Sequence, residues 1–214
     1  MGHVPGALID DIEVLTFREA QKHSSNSAEY DREKWVYIPD FYAEYRYILG
    51  TVGKNPLITI GINPSTAAPG DLDNTLKSVE RIALGNGFDS FIMLNVYARR
   101  ATDPNHMEKT MNRVLHEANM DAFRWALSKC GAEPTVWAAW GTVIQKRAYL
   151  FDCLRDMIDI GEQFGARWVC AGNRSVKGGH PHHPLYLRKD SRLVPFLINE
   201  YIAIGKPSEP THRK

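Results

Sequence analysis

The chain has 214 residues, 43% of them apolar, and a formal net charge of +1 at neutral pH. That is enough for one domain with a sizeable core, it gives no global argument for nucleic acid, and no run approaches the roughly 18 uninterrupted apolar residues that a membrane span needs. The three cysteines, Cys130, Cys153 and Cys170, are odd in number and widely spaced, and no secretory leader pattern or CxxC occurs. This fits reduced thiols and an expected cytoplasmic location better than a disulfide framework.

Residues 1–34 are polar and weakly periodic, with Ser24-Ser25-Asn26-Ser27 as a loop, and read as an amino-terminal appendage. Aromatic residues crowd Trp35 to Leu49, and Tyr45-Arg46-Tyr47-Ile48-Leu49-Gly50 alternates as an edge strand or hairpin arm would. Leu57 to Ile62 is a fully buried strand that delivers the turn Asn63-Pro64-Ser65-Thr66. The proline biases Asn63 toward an extended backbone, while Gly61 and Ser65 leave room for a ligand.

Asp71 to Asn74 supplies capping side chains for a helix carrying Leu76, Val79, Ile82 and Ala83, which Gly85-Asn86-Gly87 stops. Phe91 to Val96 is a second buried strand, ending at Asn95 and followed by Arg99-Arg100. A long helix is expected from His106 to Lys129, a third strand from Pro134 to Gly141 and a helix from Thr142 to Ile160. A fourth strand spans Arg167 to Gly172, a histidine-rich loop runs to Leu187, and a last helix covers Ser191 to Ile204 before a polar tail, 206–214. Strands alternating with helices predict one three-layer α/β/α domain over residues 35–205, built on four parallel strands. No GxGxxG follows a strand and no Walker motif occurs, so neither phosphate-binding signature applies.

The carboxyl ends of parallel strands share one edge of the sheet, so Asn63, Asn95, Trp140 and the loop His180-Pro181-His182-His183-Pro184-Leu185 are expected to converge on one crevice. In this order the motifs Gly61-Ile62-Asn63-Pro64, Met93-Leu94-Asn95, Trp140-Gly141 with Gln145-Lys146-Arg147, and the His180 loop resemble those of uracil-DNA glycosylases, with the Gly-Ile-Asn-Pro wording nearest the mismatch-specific branch. The resemblance implies a uracil-DNA-glycosylase-like sheet in strand order 2-1-3-4. It makes Asn63 the group that orients water, Asn95 the reader of a pyrimidine edge, and His180 the partner of the charged base oxygen. Trp140 and His183 would also face the base, and Ser65, where strict uracil enzymes carry tyrosine, would leave space beside pyrimidine C5. Arg99, Arg100, Arg174, Lys177 and Arg188 would hold phosphates. The His180 loop is one residue longer than the family's, so His183-Pro184-Leu185 offers a second register.

Asn63-Pro64-Ser65-Thr66-Ala67, the Asn95 to Asn105 segment and Gly179 to Leu187 also resemble a bacterial and phage family catalogued as a domain of unknown function. The expected function is therefore recognition of a pyrimidine nucleotide or DNA. The enzyme hypothesis is N-glycosidic hydrolysis of uracil or 5-substituted pyrimidines, and the alternatives are a non-catalytic binding module or a nucleotide-modifying enzyme. No cofactor and no metal are expected. Bland roles stay open: Asn95 as a strand-end cap, Trp140 as core, Arg99-Arg100 as an exposed pair, Asp71 and Asp73 as helix caps, and the three histidines as metal ligands.

Overall fold

A computed structural model describes residues 2–6, 9–23, 30–173 and 178–204. In chain order its strands are β1 (Trp35–Ile38), β2 (Ile48–Thr51), β3 (Pro56–Gly61), β4 (Ser90–Asn95), β5 (Thr135–Ala138), β6 (Arg167–Ala171) and β7 (Leu193–Pro195). Its helices are α1 (Phe17–Lys22), α2 (Asn74–Gly85), α3 (Arg113–Ser128), α4 (Tyr149–Gln163) and α5 (Ile198–Ile204).

Runs that are apolar on both faces belong in the middle of a sheet, and β3 and β4, buried at every position, lie there side by side. The whole sheet runs β1-β2-β4-β3-β5-β6-β7. Its four central strands are parallel and stand in the expected order, with Gly61 level with Asn95 and Ile60 level with Ala138. The sheet is not four-stranded, however: β1 and β2 extend one edge and β7 the other, all through antiparallel pairing.

Alternation along each strand sorts side chains into two layers. Ile58, Ile60, Ile92, Leu94, Val136 and Trp168 face a cluster built with α1, α3, α4 and α5, whereas Leu57, Phe91, Met93 and Trp137 face α2. Helices therefore cover both faces. Ahead of β1, Phe17 of α1 is buried in the larger cluster, and Tyr45 and Tyr47 hold the main chain of Leu15 through their hydroxyls.

Several helix boundaries differ from the sequence reading. The helix expected from His106 starts only at Arg113, because Asp103 caps a separate 3-10 turn at Pro104–His106 and Asn112 caps α3 through Leu115 N–H. The helix expected from Thr142 is a 3-10 turn, Gly141–Lys146, then an extended residue, Arg147, and only then α4. Part of the last expected helix is β7. The polar tail lies outside the described residues.

Candidate functional site

The alternation that builds the core also builds a cleft. Asn95 shares the parity of Phe91 and Met93, so its side chain emerges on the α2 face at the carboxyl end of β4. Its neighbour across the ladder is Gly61, and a Cβ there would sit 2.8 Å from Asn95 Oδ1 and 2.5 Å from Met93 Cε. Glycine at that point makes room for the amide. Behind the strand, Asn119 of α3 donates to the Asn95 carbonyl at 2.9 Å and fixes the strand end.

A cavity of about 590 Å³ opens there, at the carboxyl ends of β3, β4 and β5. Its walls are the Gly61–Ser65 turn, the first turn of α2, Ala101 and Thr102, Gly141 to Val143, and the loop after β6 from Pro181 to Tyr186. Gly141 adopts a left-handed φ of +64°, which turns the chain after β5 directly beneath His183. Ser78 of α2 donates to the Pro184 carbonyl at 2.8 Å, so α2 braces that loop from the opposite side.

Four of the expected site residues meet in this cleft. Asn95 is 1% exposed, and neither atom of its amide has a hydrogen-bond partner among the described residues. Asn63 donates its amide nitrogen to the carbonyls of Ala101 (2.5 Å) and Pro64 (3.2 Å), which leaves Oδ1 as its acceptor. Ser65 bonds the Thr102 hydroxyl at 2.9 Å. His183 accepts the Leu185 N–H on Nδ1, so in the neutral ring the proton resides on Nε2. Burial pulls its pKa below the ordinary 6.5, with Asp73 pulling the other way.

The other expected residues lie elsewhere. Trp140 is fully buried among Trp168, Phe196 and Tyr201, and its indole N–H donates to Tyr201 Oη at 3.1 Å. His180 is also buried and bonds the same hydroxyl through Nδ1 at 2.7 Å. Neither lines the cleft.

Arg99 is wholly buried between Glu44 (3.1 Å) and Glu108 (3.0 Å). Arg100, equally buried, donates to the Ser65 carbonyl and the Tyr37 hydroxyl and lies over the Tyr42 ring. Neither is an exposed pair at the surface. Arg188 is exposed and bonded to Asp190. Arg174 and Lys177 fall outside the described residues.

One cleft residue escaped the sequence reading. Arg46 is 2% exposed, lines the cavity and spends Nη1 on the Ala67 carbonyl at 2.9 Å. Its signal was present: Tyr45 and Tyr47 turn into the large cluster, so the charged residue between them must face the other way. Asp73, read as a helix cap, does cap α2 through Leu76 N–H, and its side chain also borders the cavity. Among the described residues, no three His, Cys, Asp or Glu side chains gather as a metal-ligand set, and no helix is long and apolar enough to cross a membrane.

A family model described as a protein of unknown function, DUF1643, matches residues 46–185. Neither the curated proteins nor the solved structures contain a match, so the likeness to uracil-DNA glycosylases rests on motifs alone. The matched span begins and ends on cleft residues, Arg46 and Leu185, and holds every wall residue except Tyr186.

Proposed function

The chain belongs to the DUF1643 family, and from that footing we propose that its cleft binds a pyrimidine nucleobase presented by a nucleotide or a nucleic acid. One observation carries the reading: the buried, unpartnered amide of Asn95 on the cavity wall. A buried polar group without a partner costs about 1–3 kcal/mol, and a ligand that pairs with it returns that energy on binding. An amide offers one donor edge and one acceptor, which is the complement of the adjacent acceptor and donor on uracil or thymine. Ser65, being small, leaves the wall open for a substituent at C5.

Asn63 supports a second reading, N-glycosidic hydrolysis. Its anchored nitrogen leaves Oδ1 as a fixed acceptor that would orient a water molecule. An amide cannot take the proton from that water, so chemistry resting on Asn63 is slow. His180, given to Tyr201 outside the cleft wall, adds no support. Binding is thus the primary reading and turnover the secondary one.

Calorimetric titration with uridine, thymidine and adenosine tests the primary reading. The two pyrimidine nucleosides should bind in preference to adenosine, Asn95→Ala should weaken both by about 10-fold or more, and Ser65→Tyr should weaken thymidine more than uridine. Equal binding of all three, or an Asn95→Ala variant that binds like wild type, overturns it. Abasic sites formed in uracil-containing oligonucleotides at protein excess, and lost in Asn63→Ala, would establish the hydrolase reading.

A further inference from the structure

A buried guanidinium normally has a carboxylate beside it, since removing a charge from water is costly unless it is paired. Arg46 departs from this. Its Nη1 bonds a backbone carbonyl, its buried Nε has no hydrogen-bond partner, and no carboxylate lies within ion-pair distance among the described residues. Burial and the neighbouring charge of Arg100 lower its pKa to about 9, with Tyr37, Asp73 and Tyr42 acting against them. Arg100 likewise has hydroxyl, carbonyl and ring partners but no ion pair among the described residues. Two buried cations with no ion pair among the described residues therefore stand behind the cavity, and Arg46 is in its wall.

A second feature of the same wall has the same sign. The first turn of α2, Asn74 to Leu76, borders the cavity, and its N–H groups carry the positive end of the helix dipole. Asp73 takes the Leu76 N–H, and the Lys77 N–H goes to the Asp73 carbonyl. The N–H groups of Asn74 and Thr75 are not used by either. Backbone donors and a guanidinium that have neither hydrogen-bonded nor ion-paired carboxylate partners among the described residues share one cavity and form an oxyanion-binding arrangement.

We infer that Arg46 and the amino-terminal turn of α2 form a subsite for a phosphoryl group, so that the cleft takes a phosphorylated ligand, a nucleotide in preference to a nucleoside. The subsite rests on the nucleobase reading only for the identity of the carrier. The phosphoryl oxygens take the place of the carboxylate that Arg46 lacks. A second contact comes from the N–H groups of the first turn of α2, which no side chain need supply.

The test is titration of the full chain at constant ionic strength with uridine, uridine 5′-monophosphate and inorganic phosphate. The monophosphate should bind about 10-fold or more tightly than uridine, as charge-assisted hydrogen bonds imply, and inorganic phosphate should raise the melting midpoint above that in chloride. Arg46→Met should bring the affinities for the monophosphate and for uridine to the same level. Asn74→Pro is a second, gentler variant. Proline is favoured at the first helical position, and Asp73 before it already has the extended backbone that proline demands, φ −70° and ψ 172°. It deletes one N–H without disturbing the helix and should reduce the advantage several-fold.

Equal affinity for uridine and its monophosphate, or an advantage that survives both variants, overturns the subsite. If uridine fails to bind while phosphate still raises the midpoint in an Arg46-dependent manner, the nucleobase reading falls and the subsite stands.

Discussion

Asn95, Asn63 and His183 show how a single side chain acquires a role from its neighbours' commitments. Asn63 is anchored through its nitrogen and His183 through Nδ1, so each presents one defined face, whereas Asn95 is anchored through its backbone and keeps its whole amide unspent. The histidines also make stability depend on pH. Burial depresses the pKa of both His180 and His183 below the ordinary 6.5. The unfolded chain therefore takes up protons first, and their contribution, complete above pH 6.5, is lost as pH falls through that value toward the folded pKa. The melting midpoint is expected to drop between pH 7 and 5.5, and His183→Gln to flatten part of that drop. A midpoint scan of both proteins across this window checks it, and identical slopes would refute it.

At the scale of elements, the loops after β3 and β4 are locked by buried arginines as much as by apolar contacts. Arg99 joins Glu44, ahead of β2, to Glu108, ahead of α3. Glu108→Gln should lower stability by about 2 kcal/mol, short of the roughly 3–5 for a wholly orphaned buried charge because Glu44 still faces the guanidinium. Denaturant unfolding measures the loss, and nucleotide affinity should change far less than stability. A variant that weakens binding without touching stability would return Arg99 to the phosphate-holding role that the sequence suggested.

The parallel strands were legible because continuous apolar runs such as Phe91 to Leu94 have few other destinations. β1 was hidden in an aromatic stretch that reads equally as core. β7, three residues ending in a proline, is too short to display a period and merged with the spacing of α5. The same blind spot put His180 in the cleft and hid what holds Trp140, whose reading as core stands: both are claimed by Tyr201 of α5, a partner that no local pattern connects to them.

For the molecule as a whole, the arrangement of the sheet has a practical side. The family span, 46–185, contains the four parallel strands and nearly the entire cleft, yet β1 precedes it and β7 and α5 follow it. Cut out at those limits, the polypeptide would bare the hydrogen-bonding rims of β2 and β6, two rows of unsatisfied amides ready to recruit another chain. It would also leave Arg100 without the Tyr37 hydroxyl, and Trp140 and His180 without that of Tyr201. Expressed alone, the 46–185 segment is expected to self-associate into β-rich aggregates, while the 214-residue chain melts in one reversible transition. Sedimentation and circular dichroism of the two distinguish these outcomes, and a monomeric, cooperatively melting segment would contradict the expectation. The borders of a family drawn by sequence likeness are then narrower than the borders of the object that folds, and the terminal strands act as selvedges that keep an otherwise open weave from fraying.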